Sequence, residues 1–219
     1  MKISVLRMRG WKIFSMTILF CGPVLAQAAM LASELEAYDK SGRYQAELEN
    51  KIASCLQETK QWQENNDPVE NPIAIFDIDE TIVSNIGLIR KSGYQFAKND
   101  FVAHVTSNQP VIIQPAFALF NYLKDNGIKV FFITGRTQDM CDVTMSQLAA
   151  VGIKPSDYHR LICTPNNERS SWKFKLAMRK QLVAKGYTIV VNISDQEMDL
   201  IAPKSGVTCK LPNPFYNIV

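Results

Sequence analysis

Short, almost wholly apolar runs alternate along this chain with longer segments whose apolar residues recur at helical spacing. The short runs IAIF (73–76), KVFFIT (129–134), RLIC (160–163), YTIVVNI (187–193) and GVTCKL (206–211) read as strands. A strand with no polar side is covered on both faces, as in parallel sheets. Between them, 115–127 reads as a helix, with Pro115 in its first turn and Gly127 just past its end. Residues 137–151 form a second helix, and 170–186 a third with a Ser cap and a Gly stop. Strands separated by helices predict an α/β fold: a parallel sheet with helices on both faces. Ahead of the sheet, residues 29–70 are polar and helix-rich, with Tyr44, Leu48, Ile52, Cys55 and Leu56 on one face. That segment is expected to pack on the core, and QENNDPVENP is a linker by composition. The expected organisation is a helical segment at 29–70 and a core at 71–219, with a small insertion at about 84–112.

Residues 1–12 carry Lys2, Arg7, Arg9 and Lys12 and no acid, and IFSMTILFCGPVLA follows at 13–26. With Ala26-Gln27-Ala28 behind it, this reads as a signal peptide over 1–28, cleaved near Ala28. The apolar run is short for a membrane span and Pro23 interrupts it, so no stable membrane anchor is expected. Cleavage would take the formal charge from +3 to −1, which leaves no basic face for nucleic acid. The expected location is periplasmic or secreted. Four cysteines remain in that form, Cys55, Cys141, Cys163 and Cys209. They allow three disulfide connectivities or four buried thiols, and spacing does not choose among them.

The chemistry lies where the strands end. Asp77 and Asp79 close the first strand and Glu80 follows; Thr134, Gly135 and Arg136 close the second. Asp195 follows the last long strand, Asp199 lies just beyond it, and Lys173 and Lys175 open the preceding helix. Ligands of such sheets bind at the carboxyl ends of the strands, so these groups converge on one edge. Clustered acids removed from water need partners. Asp77, Asp79 and Asp195 offer hard oxygen ligands that suit Mg²⁺. A carboxylate that attacks phosphorus must be shielded from the charge of its substrate, which a cation and a lysine do. A second carboxylate two residues on can give and take the proton. Lys175 shares a helix face with Arg179, whereas Lys173 shares one with Ala177 and Lys180 and reads as solvated, so only one of the two is expected to face the site.

This set resembles the haloacid dehalogenase superfamily of phosphatases, with DIDET, FFITGR, Lys175 and SDQEMD as its four motifs in order. FDIDETIVSN, RKQLVAKGYTIVVNISDQEMDL and KLPNPFYNI resemble its subfamily IIIB, the secreted bacterial and plant acid phosphatases with the plant vegetative storage proteins. The resemblance implies a Rossmann-like core with a small cap and a Mg²⁺-dependent acid phosphatase of small phosphomonoesters. In that reading Asp77 is the nucleophile, Asp79 the acid and base, and Lys175 and Thr134 phosphoryl ligands, with Gly135 and Arg136 beside them. Asp77, the Asp79 carbonyl and Asp195 hold the metal, and Asp199 stands behind them. A phosphotransferase with an alcohol acceptor and a non-catalytic storage-like protein are the alternatives, and a homodimer is left open. Asp77 argues against the storage reading and Asp79 against a dehalogenase. Two departures stand out: Ser194 replaces the usual Gly before the last motif, which bears on metal affinity, and QEMD replaces QWSD or QWAD.

Other patterns point elsewhere and carry less. Cys163 and Arg169 have the C-x₅-R spacing of cysteine phosphatases, but the intervening TPNNE has no glycine to cradle phosphate. His104 and His159 lie outside any R-H-G context. Tyr94, Phe96 and Phe101 in the insertion either stack on a substrate or pack the cap onto the core.

Overall fold

The elements were located in a computed structural model, which describes residues 31–107 and 109–217. The expected signal peptide lies outside the described residues. In chain order come α1 (Ala32–Lys40), α2 (Arg43–Asn65), β1 (Pro72–Phe76), β2 (Val83–Ser84), α3 (Ile86–Lys91), α4 (Lys98–Ser107) and β3 (Val111–Ile112). Then follow α5 (Gln114–Asp125), β4 (Lys129–Thr137), α6 (Cys141–Ala150), β5 (Arg160–Thr164), α7 (Ser171–Ala184), β6 (Thr188–Ser194) and β7 (Val207–Lys210).

Strands β5-β4-β1-β6-β7 form one parallel sheet in that order. Ile73, Ala74, Ile75 and Phe76 of β1 are all buried, as the unbroken apolar run requires. Alternate residues serve opposite faces. Ala74, Phe76, Val130 and Phe132 meet α2, α5 and α6 through Ile52, Leu119, Phe120 and Leu148. Ile73, Ile75, Phe131 and Ile133 meet α7 through Leu182 and Met178. The rings of Phe76 and Phe120 meet edge-on at 6.2 Å, and Phe120 stacks on Phe132 at 5.8 Å.

The structure refines several expectations. The helical segment is two helices, because the chain turns at Gly42, whose φ of 77° is one that side chains disfavour. The linker is shorter than its composition suggests: its first residues complete α2 and Pro72 already belongs to β1. The second strand runs on to Thr137, and a 3₁₀ turn at Gln138–Met140 precedes α6. Ser170 caps α7 with its carbonyl, which accepts the Phe174 N–H, and makes no side-chain cap.

The insertion holds the antiparallel pair β2–β3 with α3 and α4. It is tied to α1 by Asp39, which accepts Arg90 Nε at 2.7 Å, Arg90 Nη2 at 2.9 Å and the Tyr94 hydroxyl at 2.7 Å. Tyr94 therefore packs the insertion down, as one of the two readings had it. Helix α2 lies along β7, and a Cβ at Gly206 would sit 2.6 Å from the Trp62 ring and 2.9 Å from the Val190 carbonyl, so that approach needs glycine.

The cysteines pair Cys55 with Cys209 and Cys141 with Cys163. The first bond ties α2 to β7 across 154 residues; the second ties the start of α6 to β5 across 22. Loop-closure entropy makes the longer loop the more stabilising, at roughly 5 kcal/mol against roughly 3. Replacing Cys55 and Cys209 together by Ser should therefore lower the melting temperature more than replacing Cys141 and Cys163. The reverse order in thermal melts would show that the loops are not what these bonds constrain.

Candidate active site

The strand order places a reversal of direction at the centre of the sheet. From β1 the chain adds β4 and β5 on one side, then returns to add β6 and β7 on the other. Helices from such a reversal leave on opposite faces and open a crevice at the carboxyl ends of the two strands between them. Asp77 follows β1 and Asp195 follows β6, so both stand in that crevice. A cavity of about 450 Å³ opens there, lined by Asp77, Asp79, Lys175, Asp195 and Asp199 at its acidic end. Phe96, Phe101, Trp172 and Tyr216 line it too, with Lys98 and Arg169.

Asp77 is buried, and its Oδ1 accepts the Ile78 N–H at 2.8 Å and contacts Lys175 Nζ at 2.9 Å. Lys175 also donates to Asp199 Oδ2 at 2.6 Å, and Asp199 accepts the Ser194 hydroxyl at 2.9 Å. Lys173 is exposed, its ammonium 5.5 Å from the centre of the Trp172 ring. Asp79 belongs to a different cation. Arg136 Nε and Nη2 reach its carboxylate at 3.0 and 2.7 Å, and Asn85 Nδ2 adds a bond of 2.8 Å. Arg136 spends Nη1 on Thr144 and Gln147. Its guanidinium thus orients Asp79, and Arg136 also lines the cavity as a substrate-binding residue would. Thr134 has no exposed surface; its Oγ accepts the Arg136 N–H at 3.1 Å, and the cavity wall is made by Gly135, Arg136 and Thr137.

Ser194 does not need the backbone freedom that glycine would supply. The described non-glycine residues at positive φ are Asn71, Glu80 and Tyr94. Its hydroxyl donates to Asp199, accepts the Gln196 N–H at 3.1 Å and lies 3.5 Å from Asp77 Oδ2. Cys163 is half of a disulfide, which removes it as a thiolate nucleophile.

Several residues around the site had no role assigned from sequence. Glu80, fully buried at φ 48°, accepts the Asn85 N–H at 2.5 Å and the Tyr216 hydroxyl. Asp195 Oδ2 accepts Asn213 Nδ2 at 2.7 Å and Gln196 Nε2 at 2.5 Å, and the Asp195 N–H donates to Thr81 Oγ1. The one signal for their partners was the KLPNPFYNI ending, from which Asn213 reaches Asp195 and Tyr216 reaches Glu80.

The electrostatics are those of a site short of positive charge. Five acids, Asp77, Asp79, Glu80, Asp195 and Asp199, stand around Lys175 and Arg136, with the buried Arg179 near Asp199 and Asp77 as a third cation. Burial pushes the Asp77 carboxyl up to about 8, with Lys175 opposing and Asp199 adding to the rise. Burial likewise raises Asp195 to about 6, against the bond from Asn213, and raises Glu80 to about 7 with help from Asp79. Burial would lower Lys175, but Asp77 and Asp199 outweigh it and hold it charged. Among the described residues no three His, Cys, Asp or Glu side chains are grouped to hold a metal ion. The candidate donors are the two carboxylates of Asp77 and Asp195 and the Asp79 carbonyl. Hard oxygens few in number, with charge unmet, fit a cation that keeps several of its waters, as Mg²⁺ does.

A family model described as HAD superfamily, subfamily IIIB (Acid phosphatase), matches residues 23–219. Vegetative storage protein 1 of Arabidopsis thaliana is 34% identical over 158 residues, covering 70% of this chain and 57% of that protein. Acid phosphatase 1 of Solanum lycopersicum is 30% identical over 151 residues, covering 66% of this chain and 58% of that protein. The chain thus spans a little under three fifths of the curated relatives it matches. The class C acid phosphatase from Bacillus anthracis, solved with tungstate bound, superposes with a TM-score of 0.67 over 85% of this chain and 86% of that one, at 16% identity. That likeness shows the fold.

The raised Asp77 carboxyl has a consequence for stability. A carboxyl of raised pKa stabilises the fold fully below its unfolded value of about 3.9 and gives that up as pH climbs through about 8. Asp77→Asn keeps an acceptor for the Ile78 N–H and does not titrate. In EDTA, the variant should gain on the parent as pH rises from 5 to 8, reaching a melting temperature higher by roughly 2–8 °C. A constant gap across that range would show that the charge on Asp77 is already offset within the fold.

Proposed function

Because the chain belongs to the HAD superfamily, subfamily IIIB acid phosphatases, we propose that it hydrolyses small phosphomonoesters through an aspartyl-phosphate on Asp77, with Mg²⁺ as cofactor. The observation that carries this reading is the division of two carboxylates, two residues apart, between two cations. Asp77 lies against Lys175 at the crevice, and Asp79 is clasped by Arg136. That division supports reading Asp77 as the nucleophile and Asp79 as the group that moves a proton.

In this mechanism Asp77 forms a bond to phosphorus as the ester oxygen leaves, and Asp79 gives that oxygen its proton. Water then attacks the aspartyl-phosphate while Asp79 takes a proton back, releasing orthophosphate and restoring both acids. The proton transfers contribute about 10²–10⁴-fold. Lys175 offsets the repulsion between Asp77 and the incoming phosphate. Arg136 and Asn85 fix the direction of Asp79, and Gly135 offers its backbone N–H to a phosphoryl oxygen. Asp77, Asp195 and the Asp79 carbonyl would hold Mg²⁺, which would supply charge neutralisation at the phosphoryl group. An oxidising compartment, periplasmic or outside the cell, belongs to the same reading. The two disulfides support it. No helix among the described residues is long and apolar enough to cross a membrane.

The test is release of orthophosphate from a panel of phosphomonoesters. EDTA should abolish release and Mg²⁺ restore it, and Asp77→Asn should remove it in a protein that still melts cooperatively. Full turnover after thorough chelation, or more than a few percent of activity in Asp77→Asn, would sink the mechanism.

The lysines give a separate test. Lys175→Ala should lower kcat/KM by roughly 10²–10³-fold, the range for removing one preorganised charge partner of the transition state. Lys173→Ala should change it about twofold at most, as exposed substitutions do. If Lys173→Ala were the more damaging, the helix would have to present its other face to substrate.

A further inference from the structure

We infer that Asn213, in the segment after β7, is a positioning residue that selects which oxygen of Asp195 faces the metal ion. The inference rests on the reading that Asp195 is a ligand of Mg²⁺.

Among the described residues, every hydrogen bond to the Asp195 carboxylate goes to Oδ2, from Asn213 Nδ2 at 2.7 Å and Gln196 Nε2 at 2.5 Å. An oxygen with two N–H donors has little left for a cation, so Oδ1 is the ligand atom. The Asn213 amide is itself oriented. Its Oδ1 accepts the Phe215 N–H at 3.0 Å, which fixes the NH₂ group toward Asp195. Prolines on both sides, Pro212 and Pro214, restrict the backbone that carries it.

The segment is anchored at points outside the crevice. Phe215 is buried, its ring edge-on to Tyr44 of α2 at 4.8 Å and 6.0 Å from Tyr94 of the insertion. Tyr216 donates to Glu80 and lies against Phe96 at 4.5 Å. Asn213 thus stands between two fixed aromatic residues and a buried carboxylate. That is the arrangement by which outer partners orient a metal ligand, and losing one costs about 10–100-fold in metal affinity.

The experiment uses the full chain and Mg²⁺ alone, titrated calorimetrically, with the melting temperature in EDTA measured alongside. Asn213→Ser keeps an acceptor for the Phe215 N–H but is too short to donate to Asp195. Asn213→Ala loses both. Both variants should bind Mg²⁺ about 10–100-fold more weakly than the parent. Parent-like affinity in Asn213→Ser, with weakening only in Asn213→Ala, would mean that Asn213 merely holds a turn, and would overturn the inference. Parent-like affinity in both variants would overturn it as well. A parent chain that binds no Mg²⁺ would take down the metal reading itself, and this inference with it.

Discussion

One ammonium group, Lys175 Nζ, is held between two buried carboxylates, Asp77 at 2.9 Å and Asp199 at 2.6 Å. The carboxylates come from opposite sides of the strand reversal, one after β1 and one beyond β6, and the lysine rises from the helix that joins β5 to β6. Charges removed from water are tolerated only when paired. The ends of two strands and the first turns of α7 must therefore keep their mutual places. Ser194 adds to that constraint, because its hydroxyl bridges the space between Asp199 and Asp77 where a glycine would leave nothing.

A second buried pair holds the other acid. Arg136 leaves β4 and grips Asp79, while Thr144 and Gln147 of α6 take its remaining arm. Gln147 in turn donates to the Val105 carbonyl in the insertion, so the orientation of Asp79 is connected through Arg136 and Gln147 to α4. The two aspartates of DIDET are close in sequence, yet they are governed from different helices on different faces of the sheet. That separation is what allows two like groups to hold unlike chemical duties.

The sheet was legible because its strands are covered on both faces and so carry no polar positions to confuse the pattern. The acids were legible because each stands where a strand ends. Lys175 was separable from Lys173 by helical geometry together with the family resemblance of its motif. What stayed hidden depends on partners distant in the chain. Nothing local in Arg136 says that Asp79 will claim it, and nothing in Glu80 says that Asn85 and Tyr216 will. Gly42 was passed over because the apolar spacing of the second helix begins only at Tyr44, and a single left-handed residue leaves no periodic trace. The disulfide pairing was likewise beyond reach, since it is set by where α2 lies along β7.

The Cys55–Cys209 bond also imposes an order of assembly. Chains are made from the amino end, and 154 residues separate these sulfurs. Cys55 cannot meet this partner until almost all of the sheet has been synthesised. Through that interval Cys141 and Cys163, only 22 residues apart, meet first. Whatever oxidises this chain works best if it acts late, when β7 has docked beside β6 and Cys209 has been delivered to its partner. The longest covalent loop of the molecule is thereby a record that the last strand has arrived.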